Sequence, residues 1–210
     1  GTSALLNLLV AAPENRGILQ WEVQFPDIWP GSQPGQEDPR YPYLVKALEK
    51  NRDSEFAKIH FIDADTPEEC VLLHAFGFHG VQLGFEIMLE PYRSWLLQQD
   101  LTSMYAYQKR QMQALNWRNA GQQWMLKAPA HMWGIEPILK VFPDARFVWC
   151  HRDPLLVVPS INSMNKVVMG MYAGDLSHLD AAEAGRAVME WYAMSLEQGL
   201  LTGKVGRPNS

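Results

Sequence analysis

Apolar positions along the chain fall into short runs that alternate between helical and extended spacing, separated by proline-, glycine- and acid-rich punctuation. Residues 4–12 (ALLNLLVAA) are strong helix formers ending before Pro13, which predicts a buried helix. Residues 17–25 (GILQWEVQF) follow a turn-like PENRG and read as a strand. Residues 26–42 are dense in proline, glycine and acids and read as a long irregular loop of the kind that covers a site. A short helix is expected over 43–51 and a short extended piece over 59–62. Thr66-Pro67-Glu68-Glu69 carries the signs of a helix start, with a hydroxyl cap, proline at the first position and acids in the first turn, continuing through CVLLHAF. Residues 92–97 and 104–117 have apolar side chains at helical spacing, Lys109 and Arg110 marking a solvated face in the second.

The most informative pattern spans 124–160. A three-residue apolar strand (124–126) ends on Lys127, Ala128-Pro129-Ala130 turns the chain, and an amphipathic helix over 131–141 is closed by FPDA. A second strand, 146–150, delivers His151 and Arg152; Asp153 and Pro154 then supply the cap and first residue of another helix that carries Ser160. A further helix begins near Asp180 and runs to 201. Strand–helix alternation predicts an α/β fold, a three-layer α/β/α arrangement with a central parallel sheet, and polar groups at strand ends are where such sheets hold ligands.

Composition narrows this picture. The chain has 210 residues, 47% hydrophobic and 20% charged, consistent with one globular domain over 1–210. A net charge of −5 argues against a general binder of nucleic acid or anionic membranes, although it leaves room for a local basic site. Two cysteines make no disulfide framework; Cys150, in an apolar strand, is expected to be a buried thiol, and a reducing cytoplasm is the expected setting. No apolar run has the length of a membrane span. Gly1-Thr2-Ser3 runs straight into a helix and the tail GKVGRPNS closes on no element, so the expectation is a piece of a longer protein, truncated at both ends.

Candidate chemistry follows from position. Gly1, Thr2 and Ser3 offer free amides and hydroxyls at a helix N-terminus, either an anion cradle or simply a cap. Glu22, an acid among apolar and aromatic neighbours, is either a general base or a glutamate at a strand edge facing water. Ser160 lies seven positions after the Asp153 cap, about two helical turns, so it returns to the face of the cap and can share one phosphate with Arg152. His74 and His79 have no metal-ligand spacing around them and read as packing or surface residues. The aromatic side chains of the middle third either line an acceptor pocket or pack the core.

Gly-Thr-Ser, the WE pair at 21–22, LKAPAH at 126–131, FPDARFV at 142–148, HRDP at 151–154 and VVPS at 157–160 together resemble the bacterial-type sulfotransferase family, which uses 3′-phosphoadenosine 5′-phosphosulfate (PAPS). The resemblance runs from Gly1 to about Ser163 and extends to the tyrosylprotein sulfotransferases. It implies that Gly1, Thr2 and Ser3 end the 5′-phosphosulfate loop, that Arg152 and Ser160 bind the 3′-phosphate, and that Lys127 neutralises charge on the bridging oxygen. It implies Glu22 as general base, with His131 as the alternative base or a cap for the helix after Lys127. The basic residue that usually precedes Gly-Thr is absent because the sequence starts at Gly1. The expected reaction moves a sulfuryl group to an acceptor hydroxyl or amine, on a small molecule, glycan or peptide, with no metal. The alternatives are a P-loop nucleotide kinase, disfavoured because no Lys-Ser/Thr pair is seen after the glycine and Ala4 and Leu5 follow Thr2-Ser3, and a non-catalytic nucleotide-binding domain. Acceptor and oligomeric state stay open.

Overall fold

Leucine and alanine fill the first apolar run, and it folds as helix α1, Thr2–Val10, with Gly1 at its N-cap. The chain's coordinates are a computed structural model that describes residues 1–33, 36–80, 89–118, 122–173 and 180–203. Beyond α1, strand β1 is Asn15–Arg16; helices α2 to α7 are Gln20–Gln24, Arg40–Lys50, Glu55–Ile59, Leu72–Ala75, Glu90–Leu96 and Thr102–Arg118. Strand β2 is Gln123–Trp124, a 3-10 turn covers Pro129–Met132, and α8 to α10 are Ile135–Val141, Pro154–Ala173 and Ala181–Gly203. The polar tail after residue 203 and the segment 174–179 lie outside the described residues. Among the described residues no helix is long and apolar enough to cross a membrane.

The architecture is α/β with parallel pairing. β1 and β2 lie side by side with Asn15 opposite Gln123 and Arg16 opposite Trp124. The ladder continues through the Met125 amide, which donates to the Arg16 carbonyl at 2.8 Å. Among the described residues this is a two-stranded sheet, narrower than the central sheet expected from the sequence. Packing divides the chain into two compact units, Gly1–Gly80 with Met104–Ala128, and Val81–Ser103 with Pro129–Ser210.

In the first unit α1 packs on β1 and α2 on α5, around a core that includes Leu6, Ile18, Val23, Leu73 and Leu115. Several expected elements are corrected here. The strand expected over 17–25 is instead an extended lead into helix α2. An extended run would hold residues 16 and 22 roughly 20 Å apart, whereas one helical turn brings Glu22 back onto Arg16. The helix expected from Thr66 is only Leu72–Ala75. Thr66 closes a turn instead, its hydroxyl donating to the Asp63 carbonyl at 2.8 Å, and the Glu68 amide donates to the Ile18 carbonyl at 2.8 Å. The piece expected to be extended at 59–62 starts as the last residue of helix α4.

His74 sets a pH dependence in this core. Its ring is buried, with Nε2–H donating to Gln108 Oε1 at 2.8 Å and Tyr105 edge-on at 5.4 Å. Burial favours the uncharged ring and lowers its pKa from 6.5 to about 4. As pH falls below 6.5 the unfolded chain takes up a proton that the folded chain refuses, so stability is complete above that value and declines toward pH 4. Urea denaturation should find this residue responsible for a loss of about 2–3 kcal/mol between pH 7 and 4.5, seen as a steeper slope in the native chain than in His74→Gln.

In the second unit α9 and α10 pack along each other, and α10 also covers the 3-10 turn and α8. The Trp133 indole N–H donates to Ser195 Oγ at 2.7 Å. The helix expected over 131–141 starts later, at Ile135, after the 3-10 turn. The strand expected at 146–150 is unpaired among the described residues, and Val148 is 75% exposed. Only Trp149 turns inward, lying against the open face of Gly199 and stacked on His151. Among the described residues no strand pairs beside it, and Cys150 is exposed, a correction to its expected burial; the buried thiol is Cys70, pushed up to about 12 by its enclosure.

Candidate active site

Lys127 follows β2 and is fixed at both its backbone and its head. Its carbonyl accepts the Cys70 amide at 3.1 Å, and its side chain is 13% exposed. The ammonium donates to Ser3 Oγ at 2.9 Å and pairs with Glu69 Oε1 at 3.0 Å. Ser3 sits in the first turn of α1, where helix amides lack intrahelical partners and the dipole presents its positive end. Gly1 caps α1 without a side-chain bond, so neither hydroxyl is the helix cap and the Ser3 hydroxyl faces Lys127. An ammonium beside a positive helix end is unfavourable by itself. Glu69 offsets that repulsion, and hydroxyl and ammonium lie together where an anion would be favoured.

Glu69, which holds Lys127, comes from the segment 63–70, stitched beside residues 18–20 by the Gln20 amide on the Thr66 carbonyl (2.9 Å) and the Glu68 amide on the Ile18 carbonyl. Glu68 Oε1 accepts the Glu69 amide at 2.7 Å, while Oε2 meets His60 Nε2 at 3.0 Å. The hydrogen bond that His60 donates to Glu68 raises the pKa of its ring against the effect of burial. Burial would raise Glu68, but His60 and the Glu69 amide outweigh it and leave its carboxyl below the usual range. Burial raises Glu69 in spite of Lys127. His60, Glu68 and Glu69 were not singled out as site residues from the sequence. Two adjacent acids after Thr-Pro are also what a helix start demands, and nothing local distinguishes the two uses.

Glu22 is brought into this unit in a different setting. Its side chain is 0% exposed; Oε1 pairs with Arg16 Nη2 at 2.6 Å and Oε2 accepts the Leu19 amide at 3.0 Å, closing the first turn of α2. Arg16 also lies over the Trp124 ring at 4.1 Å. Both carboxylate oxygens are engaged by one of these partners each, and each keeps a second lone pair able to accept a proton.

The other candidates belong to the second unit. His131 lies in the 3-10 turn, and α8 is capped by Gly134 without a side-chain bond, so His131 does not cap that helix. Asp153 does cap α9: its Oδ1 accepts the Leu155 amide at 2.9 Å and its carbonyl the Val157 amide at 3.1 Å. Arg152, just before the cap, and Ser160, two turns into the helix, are both exposed. Among the described residues no group of three or more His, Cys, Asp or Glu side chains converges to hold a metal.

Two solved structures resemble this chain over nearly all its length. Sulfotransferase STF9 from Mycobacterium avium superposes with a TM-score of 0.83 at 29% identity, covering 98% of this chain and 53% of that one. Sulfotransferase STF1 from Mycobacterium tuberculosis H37Rv gives 0.84 at 25% identity, covering 99% and 56%. The chain thus spans about half the length of these relatives. No curated protein sequence gives a significant match. A model of the sulfotransferase family matches residues 1–203, and on that match the chain belongs to the sulfotransferase family.

Proposed function

We propose that the chain carries the sulfuryl-transfer machinery of a PAPS-dependent sulfotransferase acting on an acceptor hydroxyl or amine. The observation that carries this reading is the ammonium of Lys127, held by Glu69 against the Ser3 hydroxyl at the N-terminus of α1. Helix amides, a hydroxyl and a fixed cation are together the donor set that an anionic phosphosulfate needs. PAPS, when bound, supplies an activated sulfuryl group; the net change forms an acceptor oxygen–sulfur or nitrogen–sulfur bond, breaks the sulfur–bridging oxygen bond and passes the acceptor's proton to a base, the role proposed for Glu22. Lys127 brings positive charge to the side where negative charge develops as that bond breaks. Gly1, Thr2 and Ser3 are assigned to the 5′-phosphosulfate. Arg152 and Ser160 are assigned to the 3′-phosphate, for which a guanidinium fork and an exposed hydroxyl are suited. The acceptor is proposed to be a small molecule, glycan or peptide group.

Calorimetry tests the donor assignment. Adenosine 3′,5′-bisphosphate should bind and ATP with Mg²⁺ should not; the reverse preference would point to a kinase. Arg152→Ala should weaken that binding by about 10–100-fold, the worth of one charge-assisted hydrogen-bond pair. Ser160→Ala should cost several-fold less. Unchanged affinity in Arg152→Ala would remove the 3′-phosphate assignment. Transfer of labelled sulfate to a panel of hydroxyl and amine acceptors separates an enzyme from a binding domain.

A further inference from the structure

Behind Lys127 the first unit holds a second ion pair that no part of the proposed transfer uses. His60 and Glu68 meet at 3.0 Å, and the other oxygen of Glu68 accepts the backbone amide of Glu69, the residue whose carboxylate holds Lys127. The line His60–Glu68–Glu69–Lys127–Ser3 is therefore continuous, each link a direct hydrogen bond or ion pair, one of them through the Glu69 backbone. The His60 side chain is 29% exposed, so it can exchange protons with solvent, whereas the Glu68 side chain is 8% exposed and depends on His60 for its charge balance.

We propose that His60 and Glu68 are positioning residues for Lys127, acting through Glu69, and that the protonated His60–Glu68 pair is the state that receives an anionic donor. The proposal rests on the sulfotransferase reading above. With His60 protonated, the group of His60, Glu68, Glu69 and Lys127 carries two positive and two negative charges and is balanced. Loss of the His60 proton leaves one net negative charge beside the ammonium. That charge draws Lys127 toward the acids and repels a phosphosulfate. It also removes the hydrogen-bonded cation that fixes the side chain of Glu68 and, through it, the backbone of Glu69. The groups facing His60 are Glu68 and, at longer range, Glu69 and Lys127, with the Phe56 ring at 5.5 Å. The first two raise its proton affinity, so the balanced state extends above the ordinary imidazole range.

The test is calorimetric titration of the full chain with adenosine 3′,5′-bisphosphate between pH 6 and 9, read as the affinity ratio of variant to native chain, which cancels titration of the ligand. The native chain should bind about three- to fivefold more tightly than His60→Gln at the acidic end, as expected for one partly screened charge, and the advantage should fade as His60 loses its proton. His60→Arg should keep the tight binding across the range. A ratio for His60→Gln that does not change with pH overturns the proposal. If His60→Gln fails to fold by circular dichroism, His60→Arg decides: a ratio of its affinity to that of the native chain that does not change with pH overturns it, and a ratio that rises with pH supports it. Absence of binding by the native chain at every pH is a different result, which removes the donor reading itself and this proposal with it.

Discussion

Lys127→Met should lower sulfuryl transfer by on the order of 10²–10³-fold, the largest loss expected from any single change in this chain. The methionine keeps much of the volume of the stem but removes the ammonium that donates to Ser3 in the first turn of α1. It also strands Glu69, whose carboxylate is then left poorly solvated without its ion-pair partner. Stability should fall by about 1–3 kcal/mol, the cost of an unsatisfied charged group in a partly buried place. The double variant Lys127→Met, Glu69→Gln separates the two effects. Glutamine removes the stranded charge, so urea midpoints should recover while transfer stays lost. Recovery of transfer along with stability would mean that Lys127 serves packing alone.

Glu22→Gln should be the most destabilising single change, costing about 3–5 kcal/mol, because it removes the carboxylate that pairs with the buried Arg16 guanidinium at 2.6 Å. Against a typical domain stability of roughly 5–15 kcal/mol this is a large fraction. Both partners are enclosed, with side chains 8% and 0% exposed, so water cannot replace the lost charge. The Trp124 face under Arg16 offsets only part of it. Equilibrium unfolding in urea measures the effect, with Arg16→Met, Glu22→Leu as the companion that replaces the pair by apolar side chains and should regain much of the loss. The functional outcome discriminates as well. If Glu22 is the general base, Glu22→Gln should lose transfer under conditions where it remains folded and still binds nucleotide. If Glu22 serves only as the counter-ion of Arg16, transfer should follow the folded fraction.

The helices were the legible part of the fold. Residues 4–12, 43–51, 104–117 and 154 onward announce themselves by helix formers and caps, and Asp153 caps α9 as Asp-Pro suggested. The strands were less so. Apolar runs such as GILQWEVQF and RFVWC have the composition of strands, but a strand exists only if a neighbour offers its edge, and that neighbour is distant in sequence. Arg16 and Glu22 override the first pattern by pairing across a turn, and the second is left with Val148 and Cys150 in solvent. Among the site residues, Ser3 and Lys127 were read from their places at element ends, and they come into contact. Glu69 was hidden because its nearest relevant partner lies 58 positions away, at Lys127, and local spacing carries no trace of that pairing.

The parallel pairing of residues 15–16 with 123–124 has a consequence for how the molecule comes into being. Ser3 and Lys127 are 124 positions apart, so the ammonium site forms only after a very long loop has closed. During synthesis the α1 end of the site must wait, with its acidic partners already made, until Lys127 leaves the ribosome. Contacts this distant slow folding, and the site should be among the last features to appear when the denatured chain is returned to native buffer. Trp124, which gains the Arg16 guanidinium over its ring only when the strands meet, is the natural fluorophore for following that closure in a stopped-flow experiment, with the other tryptophans replaced.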